Sequence, residues 1–175
     1  MKRIALILVM TAAPALTFAA SPNTITFNGQ VSDQTCAVAV NGNAANPVIL
    51  MPTVSATALS AVGSTAGETP FTISVSGCTA PSSSLAIKTA FQGGNVTSAG
   101  NLANAGTATN VQVQLLKGAG GSAVVLNGIT SVPGLTLASG ATSASHDFAV
   151  RYISEAGAAT AGTVSATAQY ALDYL

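Results

Sequence analysis

Beyond residue 20 the chain repeats every two residues and nowhere sustains the 3.6-residue stripe of an amphipathic helix. Apolar and polar residues alternate over 24–31, 34–40, 48–51, 71–76, 85–91, 111–116, 123–126, 135–137, 146–153 and 163–174. Successive side chains on a strand face opposite sides, so each run has one face to bury and one to wet. Turn chemistry separates the runs: Asn41-Gly42-Asn43, 81–84, Gly93-Gly94-Asn95, 118–121, Asn127-Gly128, Pro133-Gly134 and 156–162. Short strands at this spacing predict an all-β sandwich, with a barrel as the alternative. Residues 53–68 show no alternation and read as a loop with one helical turn, while the Ala/Gly/Ser-rich stretches 98–109 and 156–162 read as loops.

The 175 residues suit one domain. Lys2 and Arg3 precede an apolar run over 4–16 and the small-x-small site Thr17-Phe18-Ala19, the pattern of a secretory signal over 1–19. The apolar run is shorter than the roughly 20 residues of a spanning helix, and no later stretch approaches that length, so no transmembrane segment is expected in the mature chain. Without the leader, Lys88, Lys117 and Arg151 stand against Asp33, Glu68, Asp147, Glu155 and Asp173, a net charge of −2. No cluster of Lys and Arg exists to hold nucleic acid or an anionic lipid surface. The surface is left to hydroxyls and amides, whose weak self-repulsion suits dense packing of subunits.

Cys36 and Cys78 lie in a chain marked for export, where a disulfide between them persists. Enzyme chemistry finds little support. His146 sits between Ser145 and Asp147 on a strand pattern, which turns both neighbours away from it and excludes a triad. One histidine and two bridged cysteines do not make a zinc site. Gly118-Ala119-Gly120-Gly121 lacks the Lys-Ser/Thr ending of a phosphate loop, and no local motif selects a carboxylate pair among the five acids. No catalytic residue, cofactor or metal is assigned. Asn95-Val96-Thr97 has the form of a glycosylation sequon in a loop. The aromatics Phe71, Phe91, Phe148, Tyr152, Tyr170 and Tyr174 fall in phase with apolar neighbours and read as inward-facing; Arg151 reads as a surface residue.

Taken in order, several pieces resemble the pilin subunits of chaperone–usher fimbriae, most of all a type 1 fimbrial major subunit. They are Thr24-Ile25-Thr26-Phe27-Asn28-Gly29-Gln30-Val31 before Cys36-Ala37-Val38, Phe71-x-Ile73-x-Val75 leading to Cys78, Ala108-Thr109-Asn110-Val111-x-Val113-Gln114-Leu115, Phe148-x-Val150-Arg151-Tyr152, and a last strand with Tyr174 penultimate. The resemblance covers the whole mature chain. It implies an incomplete immunoglobulin-like sandwich lacking its last strand, with an N-terminal donor-strand extension over 20–33 and a pilin domain over 34–175. It also implies a groove that a periplasmic chaperone fills first and that, at an outer-membrane usher, the extension of a neighbouring pilin subunit fills instead. The expected place is a cell-surface fimbrium reached through the periplasm.

Carried onto this sequence, the donor residues are Ile25, Phe27, Gly29 and Val31, with Gly29 at the position where only a small residue fits. The acceptor groove and chaperone contact are Tyr170, Leu172, Tyr174 and the terminal Leu175, facing a strand region around Val38 and Val48. The extension is short and Leu175 is apolar where a polar ending is expected, which leaves a minor adaptor subunit open beside a shaft subunit. One alternative is an ordinary complete sandwich whose N-terminal run pairs within its own sheet; another, from a different class, is a secreted, monomeric carbohydrate-binding sandwich.

Overall fold

The computed structural model describes residues 36–174, and within them the alternating runs become two antiparallel sheets. The expected leader, the donor residues Ile25, Phe27, Gly29 and Val31, and Leu175 lie outside the described residues. In chain order the strands are β1 (Ala37–Val40), β2 (Thr65–Ser76), β3 (Leu85–Gly93), β4 (Leu102–Ala103), β5 (Gln112–Leu116), β6 (Thr130–Leu137), β7 (Ala144–Ile153) and β8 (Ala168–Tyr174). One sheet has the order β1-β2-β7-β5-β4, the other β6-β3-β8.

The inner faces interdigitate because the two-residue period puts one apolar set inside. Phe71, Ile73 and Val75 of β2, Ile87 and Phe91 of β3, Val113 and Leu115 of β5, and Phe148 and Val150 of β7 are all buried. Phe148 is wholly enclosed, stacked on Phe71 at 5.7 Å and edge-on to Phe91 at 5.1 Å between ring centroids. Tyr152 extends this layer toward a smaller cluster of Leu59, Ala108 and Val111. A disulfide joins Cys36, just before β1, to Cys78, just after β2, and so ties the four-residue β1 to the sheet.

Several expected boundaries shift for physical reasons. The helical turn of 53–68 is a short 3-10 helix over Ala56–Leu59, capped by the Ser55 hydroxyl accepting from Thr57 N. The end of that stretch is strand, since β2 begins at Thr65 and passes a bulge between Ala66 and Thr69. Pro133-Gly134, expected as a turn, is a bulge inside β6: Ile87 pairs with Leu135 and Lys88 with Pro133. Both bulge residues are exposed, Val132 and Leu135 on either side stay buried in the core, and the proline is tolerated because β6 is an edge strand. A Cβ on Gly134 would meet the His146 ring at 2.5 Å.

Of the expected strand 123–126, only an isolated bridge from Ala123 to Leu116 forms, although Val124 and Leu126 are buried. β4 lies within the stretch read as a loop. The expected strand 48–51 has no ladder partner among the described residues, and the last strand begins at Ala168, not at 163. No helix among the described residues is long and apolar enough to cross a membrane.

Candidate functional site: an open apolar groove

His146 is accounted for locally. Its ring lies edge-on to Phe148 at 4.6 Å, and its Nε2 donates to Lys117 O at 3.0 Å. Asp147 faces the other way and accepts from Thr72 Oγ1 at 2.6 Å. Among the described residues no group of three His, Cys, Asp or Glu side chains could hold a metal ion. On the outer face of β5 and β7, Arg151 donates through Nε and an NH2 group to Gln114 Oε1 at 2.9 and 2.7 Å. Gln114 donates to Asn101, and Asn101 and Thr97 donate to Glu155, a chain of polar contacts whose middle members are buried. These bonds satisfy one another.

A groove of about 1000 Å³ opens onto the core. Its floor is the core itself: Phe71, Ile73, Phe91, Val113, Leu115 and Val150. One wall is β1, through Val38 and Val40, continued by residues 46–51. The opposite wall is residues 164–170.

Residues 47–51 keep strand alternation without a ladder. Ile49 and Met51 pack against the core, while Val48 and Leu50 remain 84% and 89% exposed at the groove's rim. Among the described residues, 47–53 make no main-chain hydrogen bond. An extended segment with its side chains in place and its main chain unpaired is a strand edge without its neighbour.

The opposite wall is a second such edge. In an antiparallel ladder, hydrogen-bonded pairs alternate with pairs whose main-chain groups point away. Gly94 N donates to Thr167 O at 2.9 Å, and the register Gly93–Ala168 continues along β8, so Thr167, Gln169 and Ala171 spend their main-chain groups on β3. Upstream, Thr163 and Ser165 spend theirs on residues 104–108: Ala108 N and Ala105 N donate to Thr163 O and Ser165 O, while Thr107 Oγ1 and Asn104 Oδ1 accept from Thr163 N and Ser165 N. The intervening residues Val164, Ala166, Ala168, Tyr170 and Leu172 therefore turn N–H and C=O to the other side, where no strand lies among the described residues.

Among the residues singled out in the sequence, Tyr170, Val38 and Val48 line the groove. Leu172 and Tyr174 lie further along β8, half-buried against the main core and outside the groove lining. The sequence reading missed Val164 and Ala166, although their alternation with Thr163 and Ser165 was visible. It also missed Asn104, which nothing in a loop of small residues distinguishes.

The same two-sheet sandwich recurs in solved pilins. The P pilus rod subunit PapA superposes with a TM-score of 0.61 at 20% identity, over 79% of this chain and 99% of that one. A subunit in the structure of a chaperone–usher pilus gives the same TM-score at 22% identity, over 92% of this chain and all of that one. The fold is thus the incomplete immunoglobulin-like sandwich, short of its last strand. In sequence, the F17 fimbrial protein of Escherichia coli is 35% identical over 99% of both chains. The family model described as "Fimbrial protein" matches residues 25–175, and on that match and that relative the chain belongs to the fimbrial protein family.

Proposed function

We propose that the chain is a structural subunit of a fimbria, completed by a strand that it does not supply to itself. A periplasmic chaperone lends the strand during export; at an outer-membrane usher the segment 24–31 of a neighbouring copy replaces it, and the product is a fibre on the cell surface. The observation that carries this reading is the pair of unpaired edges, 47–51 and 164–172, flanking a groove floored by core side chains. A strand laid along β8 would become the fourth of its sheet and gain main-chain bonds, while its alternate side chains filled the groove, the mode of recognition by strand addition.

The N-terminal segment suits the space. The seven residues of the 164–170 wall span about 23 Å at roughly 3.3 Å per residue, and 24–31 is one residue longer. Ile25, Phe27, Gly29 and Val31 share one face of an extended chain. Burying Ile25, Phe27 and Val31 is worth about 1.5–3 kcal/mol each.

The test is polymerisation. Phe27→Asp or Gly29→Phe leaves the subunit able to receive the chaperone, whose strand uses the groove and not the extension, and blocks fibre growth. Fibres of ordinary length from either variant, seen by electron microscopy, refute the donor assignment.

A further inference from the structure

The groove wall over 163–167 stands where β3 no longer reaches it. The β3–β8 ladder ends at Gly93, and Gly94 adds a single bond to Thr167 O. Beyond that point the wall hangs on the loop 104–109. Asn104 is the centre of the attachment: its Oδ1 accepts from Ser165 N at 2.9 Å and from Gly106 N at 2.7 Å, and its Nδ2 donates to Ala108 O at 2.8 Å. Thr107 and Thr163 exchange bonds, Thr107 N donating to Thr163 Oγ1 at 3.0 Å and Thr163 N to Thr107 Oγ1 at 2.9 Å. Thr109 N donates to Thr160 Oγ1 at 2.9 Å. The two segments run so close that a Cβ on Gly106 would collide with Thr163 O, and one on Gly162 with Ala108 N.

We infer that this clasp of Asn104, Thr107 and Thr163 positions the end of the groove wall for the incoming strand. The inference rests on the strand acceptance proposed above. By occupying the main-chain groups of 163 and 165, the clasp commits those of Val164 and Ala166 to the groove side and keeps both side chains turned to the core. Without it, the rotation of 163–166 about its own axis is held only by Ala105 N on Ser165 O and Ala108 N on Thr163 O, and the incoming strand must finish ordering the wall as it binds. Asn104 and Thr107 are positioning residues: neither is in the groove lining.

The experiment uses the full chain purified in complex with its export chaperone, and a fluorescent peptide of residues 21–33 as the incoming strand. Asn104→Ala is expected to slow peptide uptake about ten-fold, the factor that one lost hydrogen-bonded contact represents. Asn104→Asp keeps the acceptor for Ser165 N but loses the donor to Ala108 O, so its uptake should fall between those of the alanine variant and the wild type. Hydrogen exchange should show the Ser165 amide protected in wild type and Asn104→Asp and open in Asn104→Ala. If Asn104→Ala yields no folded complex, Thr107→Val, which removes the acceptor for Thr163 N, makes the same comparison. Uptake by the alanine variant at the wild-type rate, or by Asn104→Asp as slowly as by Asn104→Ala, overturns the inference while strand acceptance stands. A wild-type chain that takes up no peptide overturns both.

Discussion

Thr89→Val should make the protein more stable, against the usual sign of a core substitution. Thr89 lies between Ile87 and Phe91 on the inner face of β3, is 1% exposed, and stands opposite Val132 of β6 and Leu172 of β8. Its hydroxyl has no hydrogen-bond partner among the described residues. A buried hydroxyl left unpaired costs about 1–3 kcal/mol. Valine has almost the same shape and replaces the hydroxyl by a methyl worth roughly 0.8 kcal/mol when buried. Some of this gain is lost where the surrounding side chains must move for the slightly larger methyl, so a net gain of about 1–2 kcal/mol is expected. The assay is equilibrium urea unfolding of the chain complemented by a peptide of residues 21–33, with Thr89→Ser as control. The valine variant should raise the midpoint at unchanged slope, and the serine variant, which keeps the hydroxyl and loses a methyl, should lower it by about 1 kcal/mol. A valine variant at or below the wild-type midpoint refutes the reasoning, because it means that the hydroxyl is partnered in the folded protein.

Cys36→Ser should cost up to about 4 kcal/mol by restoring the entropy of the unfolded chain, seen as a lower urea midpoint and a lower yield of exported subunit. Gln114→Ala removes the acceptor of both Arg151 bonds and should lower stability by about 2 kcal/mol in the same assay, whereas substitution of a solvent-exposed glutamine such as Gln92 should be near neutral. Burial raises the pKa of the Tyr152 hydroxyl. Below about pH 10 both folded and unfolded states are neutral at this residue; above it the unfolded state ionises first, binds fewer protons, and stability falls with rising pH. Tyr152→Phe should flatten that alkaline loss, measured as the pH dependence of the thermal midpoint.

The sandwich was legible because its signal is local: a two-residue period survives in every long strand, and Phe71, Phe91 and Phe148 were in phase with the core before any contact was known. What the period does not show is whether a neighbour exists. Residues 48–51 alternate as a strand does, and the protein holds them extended, yet pairing depends on a second segment that the local pattern cannot name. The same limit explains 163–167, strand-like in sequence but attached to a loop by side chains because β3 stops at Gly93. Pro133-Gly134 was misread because the same dipeptide serves a turn or an edge-strand bulge, and only the phases of Val132 and Leu135 on either side distinguish them. Asn104 carries no periodic signal; its role comes from a loop 59 to 61 residues away in sequence that happens to offer bare main-chain groups.

Among the described residues, the groove lining contains no carboxylate, ammonium, guanidinium or imidazole. A strand seated against these residues would be held by apolar contacts and main-chain bonds, on which the screening of charges by salt has little to act. Once closed, such a joint offers little that a change of ionic strength could loosen. What remains able to open it is another strand, or force.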